Sequence, residues 1–131
     1  MLANMRRFQA LDLAADGRRA RRLFSAALMS DTKWRRLFEA VQSGRGDLKR
    51  MTVKFINMDE PRPMRFPPSL EVPRPYVDTI EFGPIALRSI EWIEFAGDLT
   101  GMLQSIGRFP TEIREGRTRV VGYTHRSASV R

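Results

Sequence analysis

Met51-Thr52-Val53-Lys54-Phe55-Ile56-Asn57 decides the fold. Met51, Val53 and Phe55 point one way, and Thr52 and Lys54 point the other. Strict alternation of this kind is the mark of a strand with one buried face. Upstream, the rhythm changes. Trp34, Leu37, Phe38 and Val41 fall at i, i+3, i+4 and i+7, which is one stripe of an amphipathic helix. Ser30 or Asp31 can accept hydrogen bonds from its first amides. Ser43-Gly44 ends it, because glycine tolerates the left-handed conformation at a helix end. Arg45-Gly46-Asp47 then turns the chain into the strand.

Downstream, residues 57–75 are a different material. Pro61, Pro63, Pro67, Pro68, Pro73 and Pro75 crowd this stretch. Proline has no amide hydrogen and a fixed φ, so the composition predicts an extended, ordered loop with neither sheet nor helix. Met64, Phe66 and Leu70 are its expected anchors. Residues 76–82 read as a second strand, closed by Gly83-Pro84, and residues 88–95 as a third. Asp98 can cap a short helix to about Ile106, with Leu99, Met102, Leu103 and Ile106 on one side. Residues 110–114 and 117–123 form a hairpin across Glu115-Gly116. Residues 124–131 read as a frayed tail.

Short connections between these elements predict an α+β fold. It is a small, mainly antiparallel sheet of about five strands with two helices packed on one face, plus an N-terminal helical extension. Residues 29–123 would be one domain. The chain has 131 residues, which suits that. Residues 1–28 stand apart. They carry six arginines against Asp12 and Asp16, and a helix from about Gly17 to Met29 is expected within them. Three readings of this segment compete. One is an extension from an upstream start codon, Met29-Ser30-Asp31 being a natural beginning. The second is a basic surface-binding helix. The third is an organelle presequence, against which Asp12 and Asp16 count.

The net charge of +8 is uneven. Much of it lies in residues 1–28, so the body is less basic than the whole-chain value suggests. No run is long and apolar enough for a membrane span, and residues 1–28 hold no apolar signal core, so the cytoplasm is the expected compartment. The chain has no cysteine, which excludes disulfides and thiol chemistry.

Chemical motifs are sparse. Glu91 and Glu94 lie three apart on a strand and should face opposite ways, as should Asp78 and Glu81. Asp59-Glu60 reads as a solvated turn before proline. His125 is the only histidine, and it falls in the expected tail. There is no phosphate loop and no nucleophile elbow. No residue stands out as catalytic, and the sequence implies no metal site and no cofactor. Trp34 and Trp92 read as core anchors, with Trp92 sharing the parity of Ile90. The candidate binding surface is the proline loop, through Arg62, Arg65, Phe66, Arg74 and Tyr76, since arginine and aromatic residues are enriched at interfaces.

Asp31-Thr32-Lys33-Trp34-Arg35-Arg36-Leu37-Phe38 and Ser89-Ile90-Glu91-Trp92-Ile93-Glu94 carry a resemblance. The chain resembles a family of small bacterial proteins, a domain of unknown function, that pairs a Thr-Lys-Trp helix start with an Ile-Glu-Trp-Ile/Val-Glu strand. The likeness spans residues 29–123 and implies no catalytic residues. Three functions stay open. The first is a non-catalytic domain acting through protein contacts. The second is a nucleic-acid binder using the basic extension and the Arg/aromatic loop. The third is an enzyme whose carboxylates gather from several strands. Exposed sheet edges would also allow a homodimer.

Overall fold

The computed structural model describes residues 13–125. Its elements run α1 (Leu13–Leu23), β1 (Phe24–Ala27), α2 (Asp31–Gly44), β2 (Arg50–Phe55), β3 (Arg62–Arg65), β4 (Tyr76–Thr79) and β5 (Gly83–Ala86). A 3-10 turn (Leu87–Ser89) leads into β6 (Ile90–Phe95), α3 (Thr100–Gln104), β7 (Thr111–Arg114), β8 (Arg117–Val121) and β9 (Tyr123–His125). The fold is α+β. Five antiparallel strands form the main sheet in the order β3-β2-β6-β8-β7. Among the described residues, no helix is long and apolar enough to cross a membrane.

The alternation in β2 does what its spacing dictates. Met51, Val53 and Phe55 are buried, while Thr52 and Lys54 are half-exposed. The stripe of α2 is buried at Trp34, Leu37, Phe38 and Val41, and Ser30 Oγ caps the helix by accepting from the Lys33 amide at 3.1 Å. These two faces meet Ile93, Phe95, Leu103 and Val120 in one apolar cluster. The β7–β8 hairpin forms as expected, with Arg114 opposite Arg117.

Glu115 and Gly116 carry that turn with φ of 54° and 79°. A two-residue turn with both φ positive suits Asn-Gly better than Glu-Gly. Glu115→Asn is therefore expected to raise stability by roughly 0.5–1 kcal/mol. A urea midpoint at or below that of the wild type would contradict this.

Several expectations are corrected. The proline-rich stretch does enter the sheet. β3 pairs antiparallel with β2, and Pro63 sits opposite Thr52. Proline is tolerated because β3 is the outermost strand, so its missing amide interrupts no second ladder. The expected strand over residues 76–82 is shorter and belongs elsewhere. β4 folds back on β5 as a separate two-stranded sheet, and Gly83-Pro84 opens a strand rather than closing one. The helix near Asp98 is shorter than expected, spanning Thr100–Gln104, with Asp98 Oδ1 accepting from the Thr100 amide.

The N-terminal segment is docked on the body. Its helix ends at Leu23 rather than Met29, and residues 24–27 form a strand that pairs with β9. Ala20 and Phe24 are buried with Ile56, and Phe24 stacks on Tyr123 at 4.8 Å between centroids. Arg19 Nε donates to the Ile56 carbonyl at 2.9 Å. Pairing with β9 and burial of Phe24 override the helical preference of the alanines. The same pairing places Thr124 and His125 in a strand and not in a frayed tail. Residues 1–12 and 126–131, the ends of the expected extension and tail, lie outside the described residues.

Candidate functional site

The proline loop is held by one side chain of α2. Arg35, half-buried, spreads its guanidinium over two loop carbonyls and that of Tyr76, the first residue of β4. Nη1 donates to Tyr76 at 3.0 Å and to Val72 at 3.3 Å, and Nη2 donates to Leu70. A planar fork of donors can satisfy carbonyls that no ladder reaches. The loop is also tied at both ends. Phe66 N donates to the Lys49 carbonyl at 2.9 Å, and Leu87 N to the Pro75 carbonyl at 2.8 Å. Between them, Ser69 and Asp78 exchange two backbone bonds of 2.8 and 2.9 Å. The Phe66–Pro67 and Arg74–Pro75 peptides are cis.

The five residues read from the sequence fall into different environments. Arg62, Arg65 and Arg74 are exposed. Phe66 is only 4% exposed, and its ring packs on Phe38 and Phe95 at 6.3 and 5.4 Å. It is an anchor, as are Met64, which is buried, and Leu70, which packs partly on the core. Tyr76 is half-buried and gives its carbonyl to Arg35. Arg65 lies opposite Arg50 across the β2–β3 ladder, and like charges in that relation repel. Glu81 offsets this in part, at 3.8 Å from Arg65 Nε. At the other end, Arg74 Nη1 donates to Thr32 Oγ1 at 2.6 Å, at the start of α2. Arg35, Arg36, Arg74, Glu39 and Thr32 line a cleft of about 410 Å³ there. Burial raises the Asp31 carboxyl above its usual range, while Arg88, Arg74 and Arg35 pull it down.

The carboxylates of β6 do not behave as their spacing suggests. A bulge falls between Lys54 and Phe55 in the pairing of β2 with β6: Lys54 opposes Trp92, and Phe55 opposes Ile90. One extra residue on β6 reverses parity. Ile90 therefore stays in the core, whereas Trp92 turns to the side of Lys54 and Glu94 and is half-buried under the Arg119 guanidinium, 3.6 Å from its ring centroid. The expectations that Trp92 follows Ile90 and that Glu91 and Glu94 face opposite ways are both corrected. Glu91 joins the polar face of Lys54, which lies 3.1 Å from its Oε1, and His125 Nε2 lies 2.8 Å from its Oε2. Glu94 Oε2 holds Arg119 at 2.8 Å, and its Oε1 has Arg117 at 3.9 Å.

Three of the four oxygens of this pair thus face a lysine or arginine, and the fourth, Oε2 of Glu91, meets the His125 ring, so both carboxylates act as counter-ions. Asp78 and Glu81 belong to the β4–β5 hairpin and its turn, on separate elements from Glu91 and Glu94. Asp78 lines a cleft of about 600 Å³ with Glu39, Gln42 and Arg65. Among the described residues, no three histidine, aspartate or glutamate side chains gather as a metal-binding group. Sequence reasoning missed Arg35, whose only signal was a cation on the polar side of α2. It also missed the His125–Glu91 contact, which depends on the bulge. Comparison with family models, curated proteins and solved structures gives no match.

Proposed function

We propose that this is a non-catalytic protein-interaction domain whose docking surface is the proline loop, and that its partner offers acidic side chains. The observation that carries this reading is the Arg35 brace. It fixes an irregular segment in one shape while Arg62, Arg65 and Arg74 stay exposed. A surface ordered before binding loses less entropy when a partner arrives. The Arg50–Arg65 opposition, which Glu81 offsets only in part, and the cleft beside Thr32, where Arg35, Arg36 and Arg74 outnumber Glu39, favour an acidic partner. Nucleic acid fits this surface less well, because the aromatic beside Arg65 is committed to the core and cannot stack on a base.

A fluorescein-labelled ten-residue glutamate peptide and an oligo-dT strand of equal charge test the sign and the class together. The peptide is expected to bind, more weakly as salt rises. Three exposed arginines at roughly 0.5 kcal/mol each make Arg62→Ala/Arg65→Ala/Arg74→Ala about tenfold weaker. Equal affinity of variant and wild type, or tighter binding of the oligonucleotide, would count against the reading.

A further inference from the structure

β7 is the less guarded of the two edges of the main sheet. Among the described residues it pairs only with β8 and closes one end of the five-stranded sheet. The opposite edge, β3, is defended: Pro63 interrupts it, and Arg62 and Arg65 flank it. β7 has no proline, and Ile113, near its centre, is 48% exposed. Glu112 and Arg114 flank that isoleucine and pair with each other at 2.9 Å.

The hairpin register says which backbone groups of β7 face outward. A two-residue turn makes Arg114 and Arg117 a hydrogen-bonded pair. Alternation then points the N–H and C=O of Ile113 and Thr111 away from β8. The bond from Val121 N to the Pro110 carbonyl, 2.8 Å, continues the same alternation.

We infer that β7 is a self-pairing edge, joining two copies of this chain antiparallel about Ile113 into one continuous sheet. In that register Ile113 exchanges two backbone bonds with Ile113 of the second copy. Glu112 lies opposite the second copy's Arg114, and Arg114 opposite its Glu112. Such an interface is isologous, so each favourable contact occurs twice. Neighbouring registers lack this match. Centring on Glu112 sets glutamate against glutamate, and centring on Arg114 sets arginine against arginine; like charges directly opposite destabilise a strand pair. The contact is short, so the dimer is weak, with a dissociation constant on the order of tens of micromolar. The inference is independent of the loop surface, which lies on other elements.

Analytical ultracentrifugation of the full chain at up to about 200 µM, above the expected dissociation constant, tests it through a charge swap. Wild type is expected to show a reversible monomer–dimer equilibrium. Arg114→Glu puts glutamate opposite glutamate at both ends and is expected to weaken association at least about tenfold. Glu112→Arg/Arg114→Glu restores the complement and is expected to return it to within about threefold of wild type. A circular dichroism spectrum of Arg114→Glu that matches wild type shows that the single variant has not simply misfolded. A wild type that stays monomeric overturns the inference, as does association that Arg114→Glu leaves unchanged or that the double variant fails to recover.

Discussion

Gly122→Ala will destabilise this protein by about 3 kcal/mol, the upper end of the usual cost of overpacking. A Cβ at Gly122 would stand 2.6 Å from the Ile90 carbonyl oxygen, 3.1 Å from that of Glu91 and 3.1 Å from Trp34 Cζ2. Two of these are backbone atoms of the central strand, and the third belongs to a fully buried ring. The glycine cannot retreat either. Its amide donates to the Glu91 carbonyl at 2.7 Å, and its carbonyl accepts from Leu28 N at 2.8 Å. It is the joint between the main sheet and the docked N-terminal strand, and both sides hold it. Urea unfolding measures the loss. A stability within about 1 kcal/mol of wild type, no more than an ordinary point mutation costs, would show that β6 moves aside more freely than this packing allows.

Arg35→Met comes next in size. It keeps the length of the side chain and removes every donor, leaving the carbonyls of Leu70, Val72 and Tyr76 without their partner. Lost bonds to a charged donor cost more than neutral ones, but Leu70, Val72 and Tyr76 are only half-buried, which limits the cost of leaving their carbonyls unpaired. The expected loss is about 2–3 kcal/mol, concentrated in the loop. Arg35→Lys should fall between, because an ammonium cannot fork across three acceptors. Amide hydrogen exchange separates this from general weakening. Ser69 and Asp78 amides should exchange much faster in Arg35→Met, while Val53 and Ile93 in the core ladder keep their protection. Unchanged exchange at Ser69 would mean that the backbone ties at the loop ends suffice without the brace.

The parts of this fold that were legible in the sequence are those set by local periodicity. β2 declares itself through Met51, Val53 and Phe55, α2 through Trp34, Leu37, Phe38 and Val41, and the hairpin through Glu115-Gly116. What stayed hidden depends on partners distant in the chain. Pro63 forbids a central strand, and only the sheet order reveals that its strand is an edge. Phe24 looks helical among alanines until β9 arrives to pair with it. The bulge on β6 leaves no mark in Ile90-Glu91-Trp92, yet it moves Trp92 off the core and brings Glu91 to Lys54 and His125. At the candidate site, composition located the exposed Arg62, Arg65 and Arg74. It could not distinguish the aromatic that anchors, Phe66, from one that would bind. The brace went unseen because Arg35 reaches carbonyls 35 to 41 residues away.

Quantitative capture from nuclease-treated extract of the native cell is the most direct measurement. Tagged wild type is compared with Arg62→Ala/Arg65→Ala/Arg74→Ala, and with Arg108→Ala as an exposed control on another element. The account predicts a protein enriched by wild type and by the control, and depleted at least about tenfold with the triple variant, as three lost ion pairs require. Equal recovery of the same proteins by the triple variant, still folded by circular dichroism, would contradict it.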